Sequence, residues 1–101
     1  MPLKVRTTAL TRRRLLIAGA ASVGHLAMGT VIPTEPRDAY LSRVAAVNAG
    51  LPKETPAFNV NRLCGSGLQA IVSAAQSILL GDCDMAIGAG AESMSRGAYL
   101  M

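Results

Sequence analysis

The sequence predicts an α/β fold, a mixed or parallel sheet with helices packed on it. Three observations carry that expectation. The hydrophobic period changes abruptly at Cys64. Before it, residues 57–63 set Phe58, Val60 and Leu63 among polar residues, as a short strand does; after it, Leu68, Ile71, Val72, Ala75, Ile78 and Leu79 recur at helical spacing. A run of small and apolar residues, 85–90, then follows the helix. The order strand, helix, strand implies parallel pairing through a right-handed crossover. Earlier in the chain, an apolar segment at 23–32 leads through a turn-rich stretch into a second helical pattern that ends near Ala49.

Taken in order, residues 1–22 form an atypical basic segment, and 23–101 the main unit. Arg12, Arg13 and Arg14 are the only run of like charge. TRRRLLIAGAAS, residues 11–22, joins paired arginines to a short apolar run and Ala-Gly-Ala, the pattern of a twin-arginine export signal. Its apolar core is short and no linker follows it, so a cytoplasmic chain is the expectation and export the alternative. Residues 15–21 suit part of a helix.

Residues 23–32 read as a buried strand with a flanking turn, containing Gly24, Gly29 and the single histidine, His25. As a general base His25 would have to reach Cys64; a strand or loop histidine without catalytic role is expected instead. Asp38 is expected to cap the following helix, with Leu41, Val44, Ala45 and Asn48 facing inward. Gly50 ends that helix and Pro52 prevents its return. Arg37 and Arg43 read as solvated helix charges. Gly81 closes the second helix where a left-handed cap is wanted. Cys83 reads as a small filler at a strand start, and the strand after it suits a sheet interior. Ala89, Gly90 and Ala91 permit close approach at that strand's carboxyl end, the edge where ligands sit in open α/β sheets. Glu92 lies there too, either as an acid/base group or as a carboxylate hydrogen-bonded to nearby backbone amides; the second is expected.

Cys64 is placed where chemistry is available. A side chain just ahead of a helix meets unpaired N–H groups and the positive end of the helix dipole. That setting favours thiolate, the nucleophilic form. Gly65 and Gly67 carry no Cβ, so backbone or ligand can come close. The pattern points to a nucleophilic cysteine on a strand-to-helix elbow, against the alternative of an inert cysteine buried in a turn. The same glycines allow a different class of function. Gly65-Ser66-Gly67-Leu68-Gln69-Ala70 fits G-x-G-x-x-A, with Glu92 as the ribose-binding acid of a dinucleotide-binding Rossmann-type module. That pattern leaves Cys64 unexplained, and its fingerprint belongs after the first strand, whereas strand and helix signals already precede it here.

Composition excludes other classes. The 101 residues carry a net charge of +4, but outside the arginine run the charges nearly balance, so the basic pI does not imply nucleic-acid binding. Tyr40, Phe58 and Tyr99 are the only aromatic residues, too few for a base-stacking surface. Two cysteines without CxxC spacing make neither a zinc site nor a disulfide framework, and a Cys64–Cys83 pair is not expected in a reducing cytosol. No apolar run reaches the ~18 residues of a membrane span.

NRLCGSGLQAI, residues 61–71, resembles the active-site cysteine segment of the thiolases, the family of acetyl-CoA acetyltransferases and 3-ketoacyl-CoA thiolases. The resemblance runs from about Val23 to Met101 through VGHLAMGTVIP, PRDAYLSRVAAVNAGLP and GDCDMAIGAGAESMSRGAYL. It implies the N-terminal α/β unit of the thiolase fold, incomplete at both ends. It implies that Cys64 takes an acyl group from acyl-CoA as a thioester, in Claisen condensation of acetyl-CoA or in thiolysis of 3-ketoacyl-CoA. Coenzyme A thioesters are then substrates, no cofactor or metal is needed, and the intact family member is a homo-oligomer. In that family, histidines and a second cysteine from the C-terminal half supply the base and the oxyanion hole. These lie beyond Met101, as do the walls that set acyl-chain preference. The isolated chain is therefore expected to be inactive, and a non-catalytic fragment is the competing reading. Its uncovered faces should make it marginally stable or aggregation-prone. Val5, Arg6 and Thr7 resemble the end of the family's opening strand, but the full strand–loop–helix does not follow, so a truncated or rearranged start is expected.

Overall fold

Among the described residues, three parallel strands lie in the order β2-β1-β3. The structure is a computed structural model that describes residues 19–20 and 22–99. Strand β1 (His25–Gly29) is central; β2 (Ala57–Val60) and β3 (Ala86–Gly90) flank it. In register, Leu26 lies opposite Ala57 and Ile87, and Gly29 opposite Val60 and Gly90. Helix α1 (Leu41–Asn48) joins β1 to β2, and α2 (Ser66–Leu79) joins β2 to β3. Short 3-10 helices, Pro36–Tyr40 and Met94–Arg96, follow β1 and β3. The α/β class and the parallel pairing are as expected. One placement differs: the last strand, expected in the interior, is an edge among the described strands, because the crossover from β2 passes over β1 before pairing.

Side-chain alternation along β1 sends its residues to two different helices. Leu26 and Met28 form the core with Ala46 of α1, and Leu41, Ala45, Leu51, Ala57 and Ala89 pack around them. Ala27, with no exposed surface, and Gly29 face the other way, toward α2. The sheet is thus covered on both faces, as parallel sheets are.

Helix α2 corrects the expected inner face. Its buried residues are Ser66, Ala70 and Ala74. Leu68, Ile71, Val72, Ala75, Ile78 and Leu79, expected to face inward, are exposed, Leu79 to 85%. Backbone distance is the reason. A Cβ added at Gly88 would stand 2.6 Å from the Ile71 Cα, and one at Gly29 would stand 2.5 Å from the Ser66 carbonyl carbon. At such close approach only small residues fit between helix and sheet. The large apolar side chains are left on the outer side, so α2 is apolar on two faces, a pattern of helices built for an interior.

Helix α1 holds a second correction. Asp38 does not cap it. Asp38 lies inside the 3-10 helix, where its carboxylate accepts hydrogen bonds from the Thr34 amide and hydroxyl, both at 2.7 Å, and from the Glu35 amide at 3.1 Å. Glu35 is the N-cap, and the two acids form a reciprocal capping box. The amino end of α1 is served by Asn59 of β2. Its Oδ1 accepts from the Ser42 amide at 2.9 Å, and its Nδ2 donates to the Asp38 and Ala39 carbonyls at 3.3 and 3.0 Å. Leu41, Val44 and Ala45 are half-buried as expected, while Ser42 and Ala46 are the buried residues and Asn48 is exposed. Arg37 pairs with Glu35 at 2.6 Å and Arg43 donates to the Lys53 carbonyl at 3.2 Å, both on the surface. Both helices end as the sequence implied. Gly50 and Gly81 have φ of 84° and 80°, and the Leu51 and Asp82 amides reach back to Ala46 and Ser77, the Schellman pattern.

The basic segment, with its arginine run, the echo at Val5 to Thr7 and the helix expected over 15–21, lies outside the described residues. The exceptions are Gly19, Ala20 and Ser22, which have helical backbone. Among the described residues no helix is long and apolar enough to cross a membrane, and no cluster of His, Cys, Asp and Glu could hold a metal ion.

Two predictions follow from this packing. Gly88→Ala should destabilise the chain by about 1–3 kcal/mol, since the new methyl meets helix backbone that must move; urea denaturation followed by circular dichroism measures it. The hydrogen bonds from Thr34, first its hydroxyl and then its amide, hold the Asp38 carboxyl below the usual carboxylate range. A depressed folded value means that the contribution of Asp38 is present above about pH 4 and is lost as pH falls through the folded value. Asp38→Asn should therefore lower the urea midpoint at neutral pH and flatten its acid dependence below about pH 4.

Candidate active site

The elbow between β2 and α2 is built from five residues and a buried serine. Asn61 leaves the strand and its Oδ1 accepts a hydrogen bond from the Leu63 amide at 3.0 Å. Leu63 has φ of 50°, the left-handed region, which costs a branched residue about 1–2 kcal/mol. Ser66 holds that conformation. Its Oγ accepts from the Arg62 amide at 2.8 Å and donates to the Leu63 carbonyl at 2.6 Å. The Gly65 and Ser66 amides close turns onto the Arg62 and Leu63 carbonyls, each at 3.0 Å. The Arg62 guanidinium donates to Gln69 at 2.8 Å, tying the turn to the helix beyond it.

Cys64 follows the strained residue. Its thiol is free and exposed. Gly65 is the N-cap of α2, so the cysteine immediately precedes it, and no side chain caps the helix. The amino end of the helix, next in sequence to the cysteine, therefore carries no side-chain cap. The strand, sharp turn and helix expected around Cys64 are all present, with the helix beginning at Ser66 rather than Leu68.

A cavity of about 720 Å³ opens at the carboxyl ends of the strands. Gly29, Val31 and Ile32 line it from the exit of β1, Leu63, Cys64, Ser66 and Gly67 from the elbow, and Gly90, Ala91, Glu92 and Met94 from the exit of β3. Nothing lies within 4 Å of where a Gly67 Cβ would stand, so that glycine borders open space. The lining is dominated by apolar side chains and backbone. Glu92 is not poised as an acid or base: its carboxylate accepts hydrogen bonds from the Val31 amide and, at 3.4 Å, the Ile32 amide, as expected.

The other reactive residues sit at the opposite edge. His25 opens β1, at the amino end of the sheet, with its ring 5.2 Å from that of Phe58 and its Nε2 buried without a hydrogen-bond partner among the described residues. Cys83 packs there too, since a Cβ on Gly24 would fall 2.4 Å from the Cys83 Cβ. The structure therefore brings neither His25 nor Cys83 to Cys64. The dinucleotide reading fails on the same geometry: Gly65 follows β2, an edge strand and the second among the described residues, and Glu92 is engaged by backbone amides. Sequence reasoning gave no role to Asn61 or Ser66. The signal available was a short polar side chain on each side of the turn, the residue types that bond local backbone.

The sequence model described as thiolase, N-terminal domain, matches residues 4–101. The chain belongs to the thiolase family. It is 73% identical over 78 residues to the beta-ketothiolase BktB of Cupriavidus necator, an alignment covering 77% of this chain and 20% of that protein. It is 42% identical over 90 residues to the mitochondrial 3-ketoacyl-CoA thiolase of Bos taurus, covering 86% of this chain and 23% of the relative. Among solved thiolases, the Bacillus anthracis acetyl-CoA acetyltransferase superposes with a TM-score of 0.73 at 34% identity, over 81% of this chain and 21% of that one. The human mitochondrial 3-ketoacyl-CoA thiolase, solved with CoA, gives a TM-score of 0.62 at 41% identity, over 63% and 16%. The chain thus spans about a fifth of the length of the thiolases it matches.

Ser66→Ala should loosen the elbow specifically. It leaves the part-buried Arg62 amide without its acceptor, a loss of about 0.5–1.5 kcal/mol for one hydrogen bond. Hydrogen–deuterium exchange at Arg62 and Leu63 should quicken, while the amides of β1 keep their protection.

Proposed function

We propose that Cys64 is the acyl-accepting nucleophile of a thiolase-type acyltransferase. The observation that carries this reading is the free, exposed thiol set on a strained elbow, just ahead of a helix without a side-chain cap, in the wall of an apolar cavity at the strands' carboxyl edge. The family and the names of the relatives supply the reaction class. The Cys64 thiolate attacks the carbonyl carbon of an acyl-CoA. The tetrahedral adduct collapses, CoA thiolate leaves, and the acyl group remains on sulfur as a thioester. A second acetyl-CoA, deprotonated at its α-carbon, then attacks that carbonyl and frees the thiol, giving a 3-ketoacyl-CoA. In reverse, CoA cleaves a 3-ketoacyl-CoA. Thioester exchange of this kind needs no resident cofactor or metal.

The nucleophile alone does not complete the reaction. A base for the thiol, donors for the oxyanion and a group to take the α-proton are also required. In this reading they come from the remainder of a longer thiolase chain. That remainder also covers the outer face of α2, and the complete protein assembles as a homo-oligomer. Residues 23–101 form the thiolase-type unit and 1–22 a distinct basic lead. A reducing cytoplasm suits it, since the thiol must stay free. By itself the chain should show little or no turnover.

Joined to the C-terminal part of a thiolase and incubated with radiolabelled acetyl-CoA, the protein should carry label on the peptide containing Cys64. Cys64→Ala should remove that label and reduce condensation at least about a thousandfold, as loss of a covalent nucleophile does. A condensing enzyme whose label never resides on Cys64 would sink the proposal.

A further inference from the structure

The elbow is steadied from its helix side by Ser66, which the turn itself explains. A second set of hydrogen bonds steadies it from the sheet side, and no part of the acyl-transfer chemistry accounts for it. It begins beyond β3, where the Glu92 carboxylate accepts from the Val31 and Ile32 amides. It continues beyond β1, where the Val31 carbonyl accepts from Asn61 Nδ2 at 3.3 Å. It ends beyond β2, where Asn61 Oδ1 accepts from the Leu63 amide at 3.0 Å. Leu63 is the left-handed residue that directly precedes Cys64. The exits of all three strands are thus lashed into one line that finishes at the nucleophile.

We propose that Asn61 and Glu92 are positioning residues that act as one unit to hold Cys64 in a single orientation in the cavity it shares with Val31 and Ile32. The inference rests on the reading of Cys64 as the acyl acceptor. The chemical requirements at the two ends differ. Asn61 must donate to a carbonyl and accept from an amide at once, which a carboxamide does and a carboxylate does not. Glu92 must offer acceptors to two adjacent amides, which a carboxylate does; a carboxamide turns one of its acceptors into a donor facing an N–H. Val31 and Ile32 line the same cavity as Leu63 and Cys64, so the same bonds tie the cysteine's turn to part of the wall around it. Reaction geometry is sensitive to displacements of about 1 Å, which is what release of a left-handed turn residue would allow.

The test reads orientation rather than turnover. Cys64 is converted to its thiocyanate in a Cys83→Ser background, and Cys83 likewise in a Cys64→Ser background. The nitrile stretch of each is recorded by infrared spectroscopy in the full chain. Asn61→Asp and Glu92→Gln should each widen the Cys64 band roughly twofold, as one orientation gives way to several. The Cys83 band, at the other edge of the sheet, should not change. The double variant should be no broader than the broader single one, because both cut the same line. Should Asn61→Asp fail to fold, Asn61→Ser replaces it. An unchanged Cys64 band, a change from only one of the two sites, equal broadening at Cys83, or additive broadening in the double variant would each overturn the proposal. Because the label detects geometry and not acyl transfer, its result stands apart from whether acetyl-CoA acylates Cys64.

Discussion

Everything in this unit depends on how closely α2 lies on the sheet. Gly29 and Gly88 remove the Cβ atoms that would hold the helix away, and Ser66, Ala70 and Ala74 present the helix surface that fits the gap. Contact at that distance is stabilised by dispersion along its whole length and tolerates almost no added volume. It also fixes where the helix begins. The amino end of α2 is brought against the carboxyl end of β1, so the turn that feeds it has only a few residues in which to reverse direction. Cys64 stands in that turn, and its position follows from the packing.

So short a turn is not free of strain. Leu63 takes a conformation that branched residues avoid, and it does so next to the cysteine. A single hydrogen bond contributes about 1 kcal/mol net, comparable to the strain of one such residue. Here polar side chains bond the turn from both sides, Ser66 from the helix and Asn61 from the strand. Strain at a reactive residue persists when its surroundings over-determine it, and those two side chains are the surroundings. The division of the sheet into two edges follows as well. The cavity, Cys64 and the amino end of α2 gather at the carboxyl edge, while His25 and Cys83 fill space at the amino edge.

Close packing with small residues leaves a consequence on the other side of α2. The helix keeps its leucine, isoleucine and valine side chains outward, in a chain that spans about a fifth of the length of the thiolases it matches. A helix apolar on two faces reads as an interior element. The expected weakness of the isolated chain has this surface as its physical source.

What could be read from residues in order was whatever short-range chemistry decides. The change of period at Cys64, the glycine caps at Gly50 and Gly81, and the parallel order of the elements rest on neighbours a few residues apart, and all are present in the structure. Glu92 as a backbone-bonded carboxylate was legible because a carboxylate among small residues at a strand exit has amides near it. Three matters were settled only by the fold. For the inner face of α2, hydrophobicity ranks leucine above alanine, whereas backbone distance, imposed by glycines on two other strands, ranks them in reverse. Adjacency favours Asp38 as the cap of α1, yet Asn59 serves it from β2, on the sheet face that α1 covers. The place of β3 at an edge depends on which strand the crossover passes over. Period and capping are properties of one segment; contact distance, strand order and side-chain reach between segments exist only once the segments have met.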